Sequence, residues 1–311
     1  MALTKSDIPE LLLPGLKTEF EVAYRNELNH SPIEGLATII QTTVPSQQYA
    51  WLGAVPGMRE FVGERVLQGL KGYGVTISDK TFESTIAVDR KAIEDDQLDL
   101  IRLRIRDLAG RVAHHRHQML IETLAGAFTG NGLDGVPFFS GTHPVKGGTF
   151  SNTSGNALGA NALAEAMAAM MTVPDEAGIP LGIVPDTLVV GPNQMWNALE
   201  LAESAVVVYK GNATDTAGST PYANAFQGRL KVVVSPFLTG ASADNWFLLD
   251  TKRAIRALIL QQRSDVPIEF AALEAGSGSE SAFMQDRYLY GVRARYNVGL
   301  GLWQCAYGAN A

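Results

Sequence analysis

The feature that most constrains this chain is an apolar stripe that continues for about nine helical turns, from residue 97 to residue 128. Its apolar positions recur at helical spacing: Leu98, Ile101, Ile105, Leu108, Val112, Met119, Leu120, Leu124 and Phe128. At 1.5 Å per residue such a helix is roughly 48 Å long, which is longer than the core of a typical domain requires. We therefore predict one long helix that serves as the backbone of the fold.

The segment before this helix has the alternation of a β-hairpin. Two strand-like stretches, 59–67 and 81–88, are separated by glycines and a polar turn. The second stretch alternates between an apolar and a polar face: Phe82, Ile86 and Val88 against Glu83 and Thr85. A two-stranded hairpin is marginally stable alone in water. Since the sequence offers no obvious cover for it, our hypothesis is that a second copy of the chain covers it.

Composition excludes several classes of protein. Of the 311 residues 18% are charged, and the net charge is −7. The chain therefore has no overall basic field for a nucleic-acid backbone, and contact with DNA is expected to be loose and non-specific. The low charge content favours a subunit that buries much of its surface in neighbours. No run of about 18 apolar residues and no secretory leader is found, so we expect a soluble protein.

Outside this region the patterns predict an arm and an α/β unit. Residues 5–28 are predicted to form an amphipathic helix that breaks near Pro14 and Gly15, and residues 29–57 an extended connector. The other predicted elements are an extended loop over 135–161, helices over 162–171 and 194–205, strands over 187–190, 230–234 and 246–249, and a closing strand pair over 267–273 and 288–298.

Few residues suggest catalysis or metal binding. The chain has no glycine-rich phosphate loop with its lysine, no G-x-S-x-G elbow and no H-E-x-x-H motif. His114 and His117 share one side of the long helix and could supply two ligands to a metal, but Arg116 beside them would repel a cation. We prefer to interpret this run, which includes His115, as a polar or interface face that responds to pH. No metal ligand and no cofactor is assigned.

Three other groups receive structural interpretations. The acidic run 94–96 fits the N-terminal cap of the long helix better than a divalent-cation site. The single cysteine, Cys305, can form no internal disulfide and has no electropositive neighbour in sequence, so we expect a buried, inert thiol. His143 could pair with Ser140 or Asp134 as a fragment of a hydrolase, but residues this close in sequence rarely form a triad.

Several stretches together resemble the Mu-type major head subunit of tailed phages and prophages. The first set lies before the long helix and at its start: 49–53 (Tyr-Ala-Trp-Leu-Gly), Pro56, 59–63 (Arg-Glu-Phe-Val-Gly), 80–83 (Lys-Thr-Phe-Glu) and 94–96 (Glu-Asp-Asp). The later set is 138–139 (Phe-Phe) with 143–145 (His-Pro-Val), 188–192 (Leu-Val-Val-Gly-Pro) and 228–234 (Gly-Arg-Leu-Lys-Val-Val-Val). Together they cover most of the chain from residue 49 onward.

This resemblance implies an α+β protein with the HK97-type capsid fold. The implied parts are an N-terminal arm (1–55), an extended E-loop hairpin (56–93), a peripheral domain (94–159 and 256–311) with a spine helix over about 95–128, and an axial domain (160–255). An E-loop lies across the neighbouring subunit, which would supply the cover that the hairpin lacks. The implied contact residues between subunits are Tyr49, Trp51, Arg59, Glu60, Phe61, Glu64, Arg65, Phe82 and Glu83.

The implied function is that of a major capsid protein, which is a structural protein and not an enzyme. Copies would assemble in the host cytoplasm, without a cofactor, into hexamers and pentamers of an icosahedral shell around double-stranded DNA. The implied partners are the chain itself, a scaffold or maturation protease, portal and decoration proteins, and packaged DNA held by non-specific contacts, but no membrane. Two alternatives stay open: an encapsulin-like shell of a cellular compartment, and a hydrolase that uses His143.

Overall fold

The structure, a computed structural model, describes residues 8–52, 72–89, 91, 98–174, 178–208, 221–265, 268–273, 284 and 286–311. The α-helices in these ranges are α1 (Ile8–His30), α2 (Leu98–Ala125), α3 (Ala160–Thr172) and α4 (Met195–Glu203). None of these helices is both long enough and apolar enough to cross a membrane.

Sixteen strands, most of them short, lie within the described residues. The first eight are β1 (Ala37–Thr42), β2 (Ser46–Leu52), β3 (Gly72–Ser78), β4 (Lys80–Asp89), β5 (His143–Val145), β6 (Gly148–Phe150), β7 (Thr153–Ser154) and β8 (Thr187–Val190). The others are β9 (Val206–Val208), β10 (Pro221–Ala223), β11 (Lys231–Val234), β12 (Trp246–Leu249), β13 (Leu258–Arg263), β14 (Ile268–Leu273), β15 (Arg287–Leu300) and β16 (Ala306–Ala309). The stretch 135–161, which we predicted to be an extended loop, contains the short strands β5 to β7.

The first of the two large sheets is built around β15, the longest strand. β4 pairs with one edge of β15, antiparallel, over ten residue pairs. β14 and then β13 pair with the other edge, and β1 adds to β13 in parallel. The predicted closing strand pair is thereby confirmed as β14 and β15. One face of β15 alternates into the core with Tyr288, Tyr290, Val292, Ala294 and Tyr296, all buried.

Helix α2 confirms the long helix predicted from the apolar stripe. It spans 28 residues, about 42 Å, and a 3₁₀ turn, Gly126–Phe128, continues it to the predicted end. Ile101, Ile105 and Leu108 of the stripe are 3%, 0% and 2% exposed, and they pack against the core face of β15. The acidic run 94–96 lies outside the described residues.

The predicted break of the first helix at Pro14 and Gly15 is wrong. Helix α1 runs without interruption from Ile8 to His30 and contains Pro14. A proline inside a helix removes one backbone hydrogen bond, which usually favours a kink or an end. Here Leu16 and Phe20 are buried on α2 and β14, and this packing outweighs the missing bond.

The hypothesis that only a second copy covers the predicted hairpin is wrong for β4. β4 has the predicted alternation, with Phe82 and Val88 facing inward and Glu83 outward, but its partner is β15 of the same chain. β2, which lies within the predicted connector, pairs with β3. β3 contains Gly72 and Gly74, two of the glycines that separate the two predicted strands. Cover for β4 therefore comes from this chain. The alternation of apolar and polar residues could not reveal this, because β15 is too distant in sequence from β4. The stretch 59–67 lies outside the described residues.

The second large sheet confirms the predicted α/β unit. Its strand order is β11-β8-β12-β16-β7, in which β8 and β11 are parallel. The predicted strands match β8, β11 and β12, and the predicted helices match α3 and α4 within a few residues. α4 buries Ala198, Leu201 and Ala202 against this sheet. A continuous apolar core joins the second sheet to the C-terminal half of α2, so α2 connects the two sheets.

Candidate functional site

The hairpin of β2 and β3 is attached firmly to the first sheet at its base. The Tyr49 hydroxyl donates to Oε1 of Gln261 at 2.8 Å, and Ile77 packs beside Tyr49 on Ile259. Burial raises the pKa of the Tyr49 hydroxyl, so the group remains a donor. A Cβ on Gly299 would collide with Cδ1 of Ile77, so only glycine there lets the hairpin approach β15 so closely. The base of the hairpin is thus packed on and hydrogen-bonded to the first sheet.

The structure divides the predicted contact residues into three groups. Tyr49 and Phe82 lie against their own chain, since the Phe82 ring stands 4.5 Å from His115 and 5.0 Å from Tyr296. Glu83 is exposed on the outer face of β4. The Trp51 side chain and the remaining candidates lie outside the described residues: Arg59, Glu60, Phe61, Glu64 and Arg65. A role of these residues between subunits stays a prediction.

The arm is fixed to α2 by a buried charged group that the sequence did not reveal. Nε of Arg116 lies 2.6 Å from Oε1 of Glu34, with only 7% and 15% of the two side chains exposed. Nη1 of Arg116 also donates to the Tyr24 hydroxyl at 3.1 Å. Burial raises the pKa of the Glu34 carboxyl, and Arg116 acts in the opposite direction. The pair links α1 and the turn after it to the middle of α2.

Breaking this pair from one side is expected to destabilise the fold. Arg116→Met leaves the Glu34 carboxylate buried without a counter-charge, which costs about 3 kcal/mol or more. Adding Glu34→Leu removes the orphaned charge, so the double variant is expected to recover most of that loss. Urea unfolding of both variants measures this. Unchanged stability in Arg116→Met would show that the ion pair has no part in holding the arm.

The histidines around Arg116 have three different surroundings. His114 is exposed and packs edge-on against Phe237 at 4.6 Å. Nδ1 of His115 shares a 2.7 Å hydrogen bond with the Tyr296 hydroxyl, and burial lowers its pKa. His117 is buried, and burial followed by the charge of Arg116 lowers its pKa to about 4. Among the described residues, no three His, Cys, Asp or Glu side chains are grouped so as to hold a metal ion.

His143 lies in a closed polar cluster with no access to solvent. Its Nδ1 is 2.6 Å from Oδ2 of Asp134, and its Nε2 faces Oδ1 of Asn152 at 3.1 Å. The imidazole stacks on the Trp303 ring with centroids 3.9 Å apart. Ser140 instead shares its hydroxyl with Thr142. The cluster connects the loop after α2 to the C-terminal segment and offers no nucleophile to a substrate.

His143→Ala is expected to act on stability. It leaves Asp134 without its partner inside the protein and removes the ring stacked on Trp303, so we expect a loss of about 3 kcal/mol. His30→Ala is a matched control, since this exposed histidine bonds, among the described residues, only to the Asn26 carbonyl; its change should stay within about 1 kcal/mol. Thermal unfolding of both variants measures the difference. Unchanged stability in His143→Ala would contradict a structural role.

The buried thiol behaves as the sequence predicted. Cys305 is buried and unpaired. Burial, with the nearby Asp250 carboxylate, raises its pKa to about 12. A thiol with this pKa stays protonated near neutral pH and is a poor nucleophile.

Comparison with known proteins identifies the family. The family model described as "Mu-like prophage major head subunit gpT" matches residues 10–157, 151–238 and 238–311, which is almost the whole chain. The chain is 26% identical over 309 residues to the Mu-like prophage FluMu major head subunit of Haemophilus influenzae, covering 99% of this chain and 74% of that protein. It is 23% identical over 296 residues to the major capsid protein of Escherichia phage Mu, covering 94% and 72%.

Solved structures similar to this chain include phage capsids. The procapsid of bacteriophage JBD30 matches with a TM-score of 0.55 and 26% identity, over 97% of this chain and 75% of that chain. The mature capsid of bacteriophage PhiM1 matches with a TM-score of 0.55 over 90% of this chain and 87% of that chain. At 11% identity this second match shows the fold alone. The predicted α+β capsid fold of the HK97 type is confirmed.

These matches favour a viral capsid over both alternatives, the cellular compartment shell and the hydrolase. The geometry agrees, because the one histidine considered for catalysis is fully buried and engaged with Asp134 and Asn152. The chain belongs to the family of Mu-like prophage major head subunits, gpT, and is a structural protein of the phage capsid and not an enzyme.

Proposed function

We propose that copies of this chain assemble in the host cytoplasm into hexamers and pentamers that close an icosahedral shell around double-stranded DNA. The similar structures support assembly into a shell, since they are a procapsid and a mature capsid. Repeated heterologous contacts suit such a subunit, because each copy engages several neighbours and weak contacts add up.

One observation carries this proposal: the hairpin of β2 and β3 continues for three residue pairs beyond its anchor at Tyr49. Tyr49, which is buried, pairs with Val75, and three residue pairs further out Leu52 pairs with Gly72. Three residues of strand add about 10 Å. The segment 53–71 follows from that point and carries five of the predicted contacts. A segment that begins so far out is well placed to reach another copy.

The domain division of the capsid fold is proposed with adjustments, among them that β1 and β4, from the implied arm and E-loop, belong to the first sheet. The first sheet with α2 corresponds to the peripheral domain, and the second sheet with α3 and α4 corresponds to the axial domain. β16 pairs with β12 and with β7, so we assign 306–309 and 153–154 to the axial sheet instead of the peripheral domain. The E-loop is proposed to begin at β2, since β2 and β3 form one hairpin.

Contacts with the other components of a phage head follow from surface chemistry. A net charge of −7 disfavours tight adhesion to DNA, so contact with the packaged genome is proposed to be non-specific. A portal, decoration proteins and a scaffold or maturation protease complete the proposed set of partners. The proposal includes no membrane and no cofactor.

The direct test is to express the chain and examine it by size-exclusion chromatography and negative-stain electron microscopy. We expect closed shells, tubes or rings of capsomers. If a folded chain stays monomeric at high concentration, and also when coexpressed with the scaffold and protease of its phage, self-assembly through its own surfaces is contradicted.

A further inference from the structure

Helix α4 carries the most exposed large hydrophobic side chain in the described part of the chain. Trp196 is 77% exposed, although the opposite face of the same helix is packed on the second sheet through Ala198, Leu201 and Ala202. Tryptophan is enriched among the side chains that dominate protein interfaces. A tryptophan left in water on a rigid helix therefore points to a partner.

The surroundings of Trp196 define the charge of that partner. Glu200 and Glu203 follow at one and two turns on the same outward face, and both are exposed. Neither carboxylate makes an ion pair with any described residue. The α4 face, defined as Trp196, Glu200 and Glu203, is thus an aromatic side chain beside uncompensated negative charge. It fits an apolar surface that carries arginine or lysine.

The chain itself has such a surface at the N-terminal half of α2. Leu103 and Leu100 are 60% and 48% exposed on the side of α2 that faces away from the core. Arg104, one turn after Leu100, is exposed and makes no ion pair within the described ranges. The neighbouring Arg106 and Arg111 are already paired with Glu19 and Asp107. The α2 face, defined as Leu100, Leu103 and Arg104, combines exposed leucines with an uncompensated positive charge.

We propose that the α4 face of one copy packs on the α2 face of a neighbouring copy. The spacings agree: Trp196 and Glu200 are one turn apart, as are Leu100 and Arg104, so a parallel alignment places the aromatic ring on leucines and the Glu200 carboxylate on the Arg104 guanidinium. The same alignment brings Glu203 to Asp107, whose charge Arg111 already offsets. Two different faces meet, so the contact is heterologous and continues from copy to copy. This inference rests on the proposed self-assembly and names two surfaces that carry it.

Other basic surfaces of the described chain fit less well. Arg256 donates to the carbonyls of Gly35 and Ala37, and Arg253 is paired with Asp250. Arg229 and Lys231 are exposed, but Leu230 between them is buried. The α2 face differs from these surfaces because it has exposed leucines beside Arg104, which has no ion pair among the described residues.

Cross-linking tests the contact in the assembled protein. The native cysteine, Cys305, is buried and should not react with a short bismaleimide. The reagent should therefore react only at exposed cysteines introduced at Glu203 and Asp107. These two positions lie three residues after the proposed Glu200 and Arg104 pair and leave that pair intact. Particles of Glu203→Cys/Asp107→Cys should give a ladder of dimers, trimers and larger species, and each single variant should give none. A dimer from Glu203→Cys alone, or no ladder from intact particles of the double variant, would overturn the proposal.

Substitution tests the energetics. Trp196→Ala should weaken association of copies by at least about 30-fold, as loss of an interface hot spot does. Glu200→Arg should block assembly, and adding Arg104→Glu should restore it. Thermal unfolding of each variant should match the wild type, because all three side chains are exposed. If the wild type assembles and Trp196→Ala assembles equally well, this contact is wrong while self-assembly stands; if the wild type forms no particles, the proposed function itself has failed.

Discussion

Replacing residues 53–71 with a two-residue Asn-Gly turn should give a folded chain that no longer forms shells. Leu52 and Gly72 face each other at the far end of the hairpin, so a type I′ turn can close β2 onto β3 without moving either strand. The anchors at Tyr49 and Ile77 stay in place, so the fold should keep its stability. The lost segment carries Arg59 to Arg65, the contacts proposed with a neighbour. Electron microscopy and thermal unfolding measure the two effects separately.

A second variant separates the side chains of this segment from its length. Replacing 53–71 with a Gly and Ser sequence of equal length removes the apolar and charged side chains; it should fail to form shells like the short variant. Shells of normal size from either variant would show that the segment makes no essential contact between copies. A longer cut, through residue 88, would be uninformative, because it also removes β4, which pairs with β15 over ten residues.

Local periodicity in the sequence predicted the elements whose signals are local. The stripe of α2 repeats over 28 residues, and the strands of the second sheet are short apolar runs between turn residues. The strands β1 and β13 were missed, although Leu258 to Leu260 is a continuous apolar run. Their parallel pairing joins Ala37 to Leu258, which lie near opposite ends of the chain. Local sequence patterns do not indicate which distant strand a strand pairs with.

The buried charges of the site could not be predicted for a related reason. Arg116 stands in a run of histidines that suggested a polar face, and its partner Glu34 lies much earlier in the chain, in an expected connector. The burial of both follows from the docking of the arm on α2. His143 was weighed as a catalytic residue because its neighbours in sequence are Ser140 and Asp134. The structure confirms the contact between His143 and Asp134. It also stacks Trp303, from a distant part of the sequence, on the His143 imidazole.

Ile105→Asp should prevent the chain from folding. Ile105 is fully buried between α1 and the core face of β15. The substitution removes the apolar contacts and places a carboxylate where no described neighbour can compensate it, at a cost of about 5 kcal/mol or more. That loss is comparable with the whole stability of a typical domain, about 5–15 kcal/mol. We expect insoluble protein on expression, or a soluble fraction that unfolds far below the wild-type melting temperature.

Leu103→Asp is the matched control, since it makes the same chemical change two residues away on the same helix. Leu103 is 60% exposed, so its carboxylate stays hydrated and stability should change by no more than about 0.5 kcal/mol. On the proposed α2 face, however, the new charge faces Trp196 and the acids of a neighbour, so Leu103→Asp should give a folded chain that assembles poorly. Folded, soluble Ile105→Asp would show that the stripe of α2 is not the core. Leu103→Asp that folds and also forms normal shells would remove this face from the contact, because a buried carboxylate beside Glu200 could not be tolerated there.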